Sequence, residues 1–197
     1  AESASSPRFH AARKSADKNQ LANFRGRGME TRIYVADLAA YNAGHLHGEW
    51  IDATEDPDDI QIKIDVMLKR SPIFGAEEYA IHDFEGFEGY RLGEYDGIQK
   101  AHDVAVFIAE HGMLGVAVLE YYGDDLSEAE KALRERYIGK YESLADYAQE
   151  LTEETSEIPE HLAGYIDYEK MGRDMDLNGD VLSFELSHKE IHLFNSN

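Results

Sequence analysis

One segment near the C-terminus has the residue types and spacing of a calcium-binding loop. Oxygen-bearing side chains alternate there around a glycine and end on a glutamate at the twelfth position: Asp174, Asp176, Asn178, Asp180 and Glu185. An EF-hand loop needs this spacing because its oxygens wrap one calcium ion around a glycine turn. However, Leu182 stands where a polar or water-bridging ligand is expected, and the residues after Gly179 alternate like a strand. The alternative is a helix end, a turn at Asn178-Gly179 and a hairpin strand.

The remaining reactive residue types form no recognisable catalytic pattern. His45 and His47 flank a leucine, and His188 and His192 are four apart without the glutamate of a zinc-protease motif, so we expect solvated or capping histidines. The chain has no cysteine, which excludes disulfides, thiolate metal sites and thiol nucleophiles. It also lacks a phosphate-binding glycine loop and a nucleophile elbow. We therefore predict no catalytic residue, no cofactor and no enzymatic activity.

The most informative pattern is a run of acidic residues on one predicted helix over 142–157. Its acids recur every four residues, with others beside and after them: Glu142, Asp146, Glu150, Glu153, Glu154, Glu157 and Glu160. No Lys or Arg lies between the first and the last of them. Like charges four apart each destabilise a helix by about 0.2–0.5 kcal/mol. Sixteen helical residues span roughly 24 Å. The six acids within 142–157 therefore give about one charge per 4 Å, close to the ~3.4 Å between phosphates of one DNA strand. A solvated acidic face or salt adaptation is the alternative.

The chain as a whole is negatively charged, like this predicted helix. With 40 acidic and 19 basic residues the net charge is −21. Residues 1–28 carry six basic and two acidic side chains. The remaining 169 residues carry 13 basic and 38 acidic side chains, a net charge of −25. Such a surface repels phosphates, so direct nucleic-acid binding is not expected. No apolar run approaches the length that crosses a bilayer, so no membrane partner is predicted.

The hydrophobic periodicity predicts an α+β fold of three small domains. We expect residues 1–31 to form a disordered basic leader, which resembles an organelle transit segment and is equally consistent with an upstream extension. Residues 32–94 combine three strands (32–37, 46–51 and 78–84), a turn at 41–44 and a helix capped by Asp56. Residues 95–137 are helical on both sides of Gly112, with a capping box at Ser127 and Glu130 opening a helix to about Tyr137. Residues 138–197 contain a helix that ends at about Thr155, a second helix over 162–171 and two strands (181–185 and 190–194).

Several segments resemble the ArdA antirestriction family, in order and spacing, across residues 32–194. They are Arg32 to Leu38 (RIYVADL) with Tyr41-Asn42, Gly48-Glu49-Trp50, Glu78 to Glu85 (EYAIHDFE), and Tyr165 to Asp176 (YIDYEKMGRDMD). The family's pattern also continues through 173–179 as a helix-to-strand turn, which disfavours calcium binding.

The resemblance implies an elongated homodimer of three-domain chains whose acidic surface imitates bent DNA. Such a protein occupies the DNA-binding groove of a type I restriction–modification enzyme and blocks restriction, and often modification, in the bacterial cytoplasm. Because of the basic leader, an organelle is the alternative location. The family's dimer contact lies in the C-terminal domain, where the candidates are Tyr165, Ile166, Tyr168 and Met171. Two alternatives are an accessory or structural subunit that binds a partner complex through its basic arm, and a calcium-binding module.

The expected DNA-mimic surface contains acids from all three domains. Its residues are Asp56, Asp58, Asp59, Glu77, Glu85, Glu88, Glu94, Asp124, Asp125, Glu128, Glu142, Asp146, Glu150, Glu153, Glu154, Glu157 and Glu160.

Overall fold

The computed structural model describes residues 30–196, so the predicted leader lies almost wholly outside the described residues. Within this range, seven α-helices and two three-stranded antiparallel sheets follow one another along the chain. The α+β class that the periodicity predicts is confirmed.

The first sheet contains three antiparallel strands in the order β2-β1-β3. The strands are β1 (Arg32–Asp37), β2 (Gly48–Asp52) and β3 (Tyr79–Glu85). Strand β1 lies in the centre, where its alternating residues Ile33 and Val35 are fully buried, as expected for β-branched side chains on a covered sheet face.

Two helices accompany this sheet. The first half of the turn predicted at 41–44 is helical, because a short helix, α1 (Leu38–Asn42), begins after Asp37, whose carboxylate accepts a hydrogen bond from the N–H of Ala40 (3.1 Å). The turn itself is limited to 43–44. Helix α2 (Pro57–Lys69) begins at the predicted cap, since Asp56 accepts a hydrogen bond from the N–H of Asp58 (2.9 Å). Its buried residues recur at helical spacing: Ile60, Ile64 and Met67.

The middle of the chain is dominated by α3 (Gly97–Tyr121). The two helices predicted around Gly112 are present, and a break at this glycine (φ 57°, ψ −148°) separates them. Helix α4 (Leu126–Lys131) follows, but the predicted cap was wrong: the carboxylate of Asp125 accepts a hydrogen bond from the N–H of Glu128 (3.1 Å). Asp125 and Glu128 have the same spacing as the predicted capping box, two residues earlier. A single turn of π-helix (Ala132–Arg136) then replaces the predicted helix end.

By length and composition alone, α3 is long and apolar enough to cross a membrane, with a mean hydropathy of 1.5 over its most apolar window. The sequence prediction that no run approaches this length was therefore wrong. Half of that window is buried within the fold. Eleven residues of α3 are buried, which is the packing of a core helix.

The second sheet has the strand order β4-β6-β5. Its strands are β4 (Tyr137–Tyr141), β5 (Val181–Ser187) and β6 (Glu190–Asn195), and three helices lie between β4 and β5: α5 (Leu144–Thr155), α6 (Glu160–Ala163) and α7 (Tyr168–Leu177). Strand β4 was not predicted. The helix predicted over 162–171 is interrupted, because Asp167 caps a new helix by accepting a hydrogen bond from the N–H of Lys170 (2.9 Å).

The buried side chains form one large cluster and one small cluster. The large cluster contains residues of the first sheet, α2, α3 and α4, and also Phe194 of the second sheet. The small cluster contains Tyr147, Val181 and Leu193, with α5 and α7 packed around it. The cluster that includes Phe194 joins segments of all three predicted domains, and the division into domains stays a prediction.

Candidate functional site

Helix α5 contains four acids, more than any other helix of the described residues. It begins at Ser143, whose Oγ accepts a hydrogen bond from the N–H of Asp146 (3.1 Å), and it ends at Thr155. The helix is shorter than the predicted 142–157, because Glu142 precedes the cap and Glu157 follows the helix. Its twelve residues span roughly 18 Å and contain four acids: Asp146, Glu150, Glu153 and Glu154.

These four acids share the exposed face of α5. The opposite face contains the buried Tyr147 and Ala148 and packs against α7. The two helices approach closely at Gly172, where an added Cβ would lie 2.5 Å from the carbonyl oxygen of Leu144. A glycine is therefore required for this contact, which fixes the orientation of the acidic face.

Most acids of α5 lack a cationic partner. Within residues 30–196, no Lys or Arg forms an ion pair with Asp146, Glu150 or Glu153. Glu150 accepts a hydrogen bond from the hydroxyl of Tyr141 (3.3 Å), and Glu153 accepts one from the amide of Gln149 (2.8 Å). These neutral donors orient the carboxylates and leave their charge in place.

Two tyrosines, Tyr141 of β4 and Tyr147 of α5 itself, are affected by this negative charge. Burial raises the pKa of Tyr141, and the nearby carboxylates of Glu150 and Glu154 raise it further. Burial also raises the pKa of Tyr147, and Glu150 contributes to the shift. Both phenols therefore stay neutral, and neither reduces nor adds to the charge of the surface.

The thirteen predicted acids outside α5 also lie at the surface, and four of them form ion pairs with a Lys or Arg of the described chain. Twelve of these thirteen are exposed, and Glu128 is half-buried between Arg136 (2.8 Å) and Lys131 (3.6 Å). Other ion pairs join Glu85 to Arg32, Asp124 to Lys100, and Glu142 to Lys189. Such pairing partly neutralises these four acids, whereas α5 carries four closely spaced acids on one exposed face, so a strong negative field is expected there.

The acids at the start of α2 have an ordinary structural role. Asp56 caps the helix, and Asp58 and Asp59 lie in its first turn. A negative charge near a helix N-terminus stabilises the helix by about 0.3–1 kcal/mol. Their position therefore needs no binding partner, although all three are exposed.

The dimer candidates differ in their surroundings. Tyr165, between α6 and α7, is 85% exposed. Ile166 and Tyr168 are half-buried, and Tyr168 lines a shallow depression with Ile158 and Ala163. The sulfur of Met171 lies 3.5 Å from the hydroxyl oxygen of Thr152 in α5, so this side chain contacts its own chain. Tyr165 is the candidate with the largest accessible surface.

The calcium-loop pattern adopts the helix–turn–strand alternative. Asp174 and Asp176 lie within α7, Gly179 (φ 72°) makes the turn, and Glu185 lies in β5. Asp176 accepts a hydrogen bond from the hydroxyl of Ser183 (2.7 Å). Because the first ligands of the pattern are helical, the five oxygens do not follow the course of an EF-hand loop.

A polar network in the second sheet was not predicted from the sequence. His192 is fully buried, and a hydrogen bond joins its Nδ1 to the hydroxyl of Tyr137 (2.9 Å). Burial lowers the pKa of His192 and raises that of Tyr137 to about 12. Lys140, which donates a hydrogen bond to Glu190 (2.7 Å), helps to hold the pKa of Glu190 at about 2. The strand pattern predicted β6 but not the contact of His192 with Tyr137, which lies in β4.

The comparisons with known proteins agree with the resemblance. A model of the family described as antirestriction protein (ArdA) matches residues 33–190. No curated protein matches the chain. The matched region extends from β1 to the start of β6 and covers well over half of the sequence. The chain therefore belongs to the ArdA family of antirestriction proteins.

Proposed function

We propose that this antirestriction protein acts as a DNA mimic. Its acidic surface occupies the DNA-binding groove of a type I restriction–modification enzyme and thereby blocks restriction and, by the same competition, modification. Membership of the family supports antirestriction in general. The observation that carries the mechanism is the row of four exposed acids on α5, three of which form no ion pair with a Lys or Arg of the described chain.

The spacing of these acids supports the mimicry. Four carboxylates over roughly 18 Å of helix give one charge per ~4.5 Å, which is comparable with one phosphate per ~3.4 Å along one DNA strand. A carboxylate accepts charge-assisted and bidentate hydrogen bonds from Arg as a phosphate does. The side chains that hold the DNA backbone in the target would therefore bind this face.

The mechanism needs no chemical step by the inhibitor. Competition requires a negative surface on a rigid support, and α5 is held by its cap at Ser143 and by close packing at Gly172. A homodimer through the segment around Tyr165 would present two copies of α5 to one groove. We place this action in the cytoplasm of a bacterial host.

Competition binding tests the proposal. A purified type I enzyme is titrated with labelled duplex DNA at several fixed concentrations of the protein, and the series is repeated from 50 to 300 mM salt. We expect the apparent Kd for DNA to rise in proportion to the protein concentration while saturation stays complete. We also expect the inhibition to weaken as salt rises, because the contacts are electrostatic. A reduced saturation at unchanged Kd, or inhibition that is insensitive to salt, would contradict the proposal.

A further inference from the structure

The region around the break in α3 brings together three side chains that are common metal ligands. Glu110 and His111 immediately precede the break at Gly112, and Glu130 lies on the neighbouring helix α4. One ligand atom from each of these residues lies within 4.8 Å of the other two. We propose that Glu110, His111 and Glu130 bind one divalent first-row transition-metal ion of the zinc type, a site separate from the acidic face of α5.

The environment of His111 is the observation that points to a ligand. Its side chain is nine-tenths buried, and its Nε2 has no hydrogen-bond partner among the described residues. This nitrogen is directed at Glu130, whose Oε1 lies 3.6 Å away, beyond hydrogen-bonding distance. Leaving a buried polar nitrogen without a partner is unfavourable. A cation between His111 and the carboxylates would satisfy it.

The distances suit a metal ion. Zinc binds imidazole nitrogen and carboxylate oxygen at about 2.0–2.2 Å, so two ligands of a tetrahedral site lie about 3.4 Å apart. The 3.6 Å between His111 and Glu130 is close to this separation. Glu110 and Glu130 are exposed, so their carboxylates can rotate to complete the site without moving the helices.

The donor set selects the class of metal. One imidazole with two carboxylates suits zinc and similar transition metals, whereas calcium and magnesium prefer sites made of oxygen ligands alone. The ring of His111 is held against Phe107, with ring centroids 4.7 Å apart, which limits its rotation. Three protein ligands leave a fourth position for water. The bound ion would tie the first half of α3 to α4.

Isothermal titration calorimetry of the full chain with zinc chloride tests the site, with magnesium and calcium chloride as separate titrants. We expect one zinc site per chain and no comparable binding of the other two ions. We expect Glu130→Gln and His111→Gln to weaken this site at least tenfold. Glu120→Gln, an exposed acid further along α3, is the matched control and should bind zinc like the wild type.

Thermal unfolding with and without zinc gives a second readout. Zinc should raise the Tm of the wild type and the control, because a ligand that binds the folded state stabilises it, and should raise the Tm of the two site variants by clearly less. If His111→Gln impairs folding, Glu130→Gln still tests the site, because it changes an exposed side chain. Equal zinc binding by Glu130→Gln and the wild type, or no zinc site tighter than about 1 mM, would overturn the proposal.

Discussion

Neutralising the exposed face of α5 should weaken inhibition far more than an equal change of charge elsewhere. The variant replaces Asp146, Glu150, Glu153 and Glu154 with their amides. Each exposed contact between a carboxylate and a cation of the target contributes about 0.2–1 kcal/mol, so four together contribute about 1–4 kcal/mol. The inhibition constant should rise by a factor between about 5 and several hundred. The salt dependence should become shallower because fewer ionic contacts form.

The variant should keep its fold. Like-charge pairs at positions 146/150, 150/153 and 150/154 disappear, and each such pair destabilises the helix by about 0.2–0.5 kcal/mol. Loss of the negative charge at Asp146 near the N-terminus of α5 removes about 0.3–1 kcal/mol of favourable interaction with the helix dipole. These terms nearly cancel, so thermal unfolding should show a Tm close to that of the wild type.

The matched control changes the net charge by the same four units at acids that have a cationic partner in the chain. Its amide substitutions are at Glu85, Asp124, Glu135 and Glu142. Both variants are assayed by competition with duplex DNA for a type I enzyme. We expect a clearly smaller loss of inhibition for the control. An unchanged inhibition constant for the α5 variant, or equal losses in the two variants, would refute the assignment of the mimic surface to α5.

Three further predictions concern stability and assembly. Gly172→Ala should lower the free energy of unfolding by about 1–3 kcal/mol, because its Cβ would collide with the backbone of Leu144; Gly164→Ala, with open space around it, should not, and urea unfolding compares them. The pKa of Glu190 near 2 means that its stabilisation is present above pH 4.5 and is lost as the pH falls toward 2. Urea unfolding at pH 7 and pH 3 should therefore show a larger loss for the wild type than for Glu190→Gln, by about 1–2 kcal/mol after allowance for solvent screening. If Tyr165 lies in a dimer contact, Tyr165→Arg should shift the protein to the monomer in analytical ultracentrifugation, and an unchanged mass would exclude it from the contact.

The elements with strong local signals were predicted well. The alternation of β1, the cap of α2 at Asp56 and the polar turn before β5 depend on neighbouring residues, so the sequence contains most of what defines them. The acidic face of α5 is equally local, because residues four apart lie on the same side of a helix. Its bounds were less certain, since Glu142 and Glu157 continue the pattern outside the helix.

The wrong or missing predictions involve choices between similar local signals or depend on distant partners. Asp125 and Ser127 both offer a capping oxygen with a glutamate three residues later, and the packing of α4 selects Asp125. Strand β4 has only five residues and contains Gly139 and Lys140, two residue types that are depleted in strands, yet it pairs with β6. The unsatisfied nitrogen of His111 arises from the approach of α4 to α3 and has no signature in the sequence.

The sequence by itself determined the excess of acids, the face of α5 that carries them and the segments that match the ArdA family. The tertiary structure decided which of those acids keep an unneutralised charge. Lys189 reaches Glu142 across 47 positions, and Lys140 reaches Glu190 across 50, whereas no comparable cation reaches Glu150 or Glu153 within residues 30–196. Helix periodicity is a local property of the chain, but neutralisation depends on which cations the fold brings near, and this is why the candidate surface required the structure.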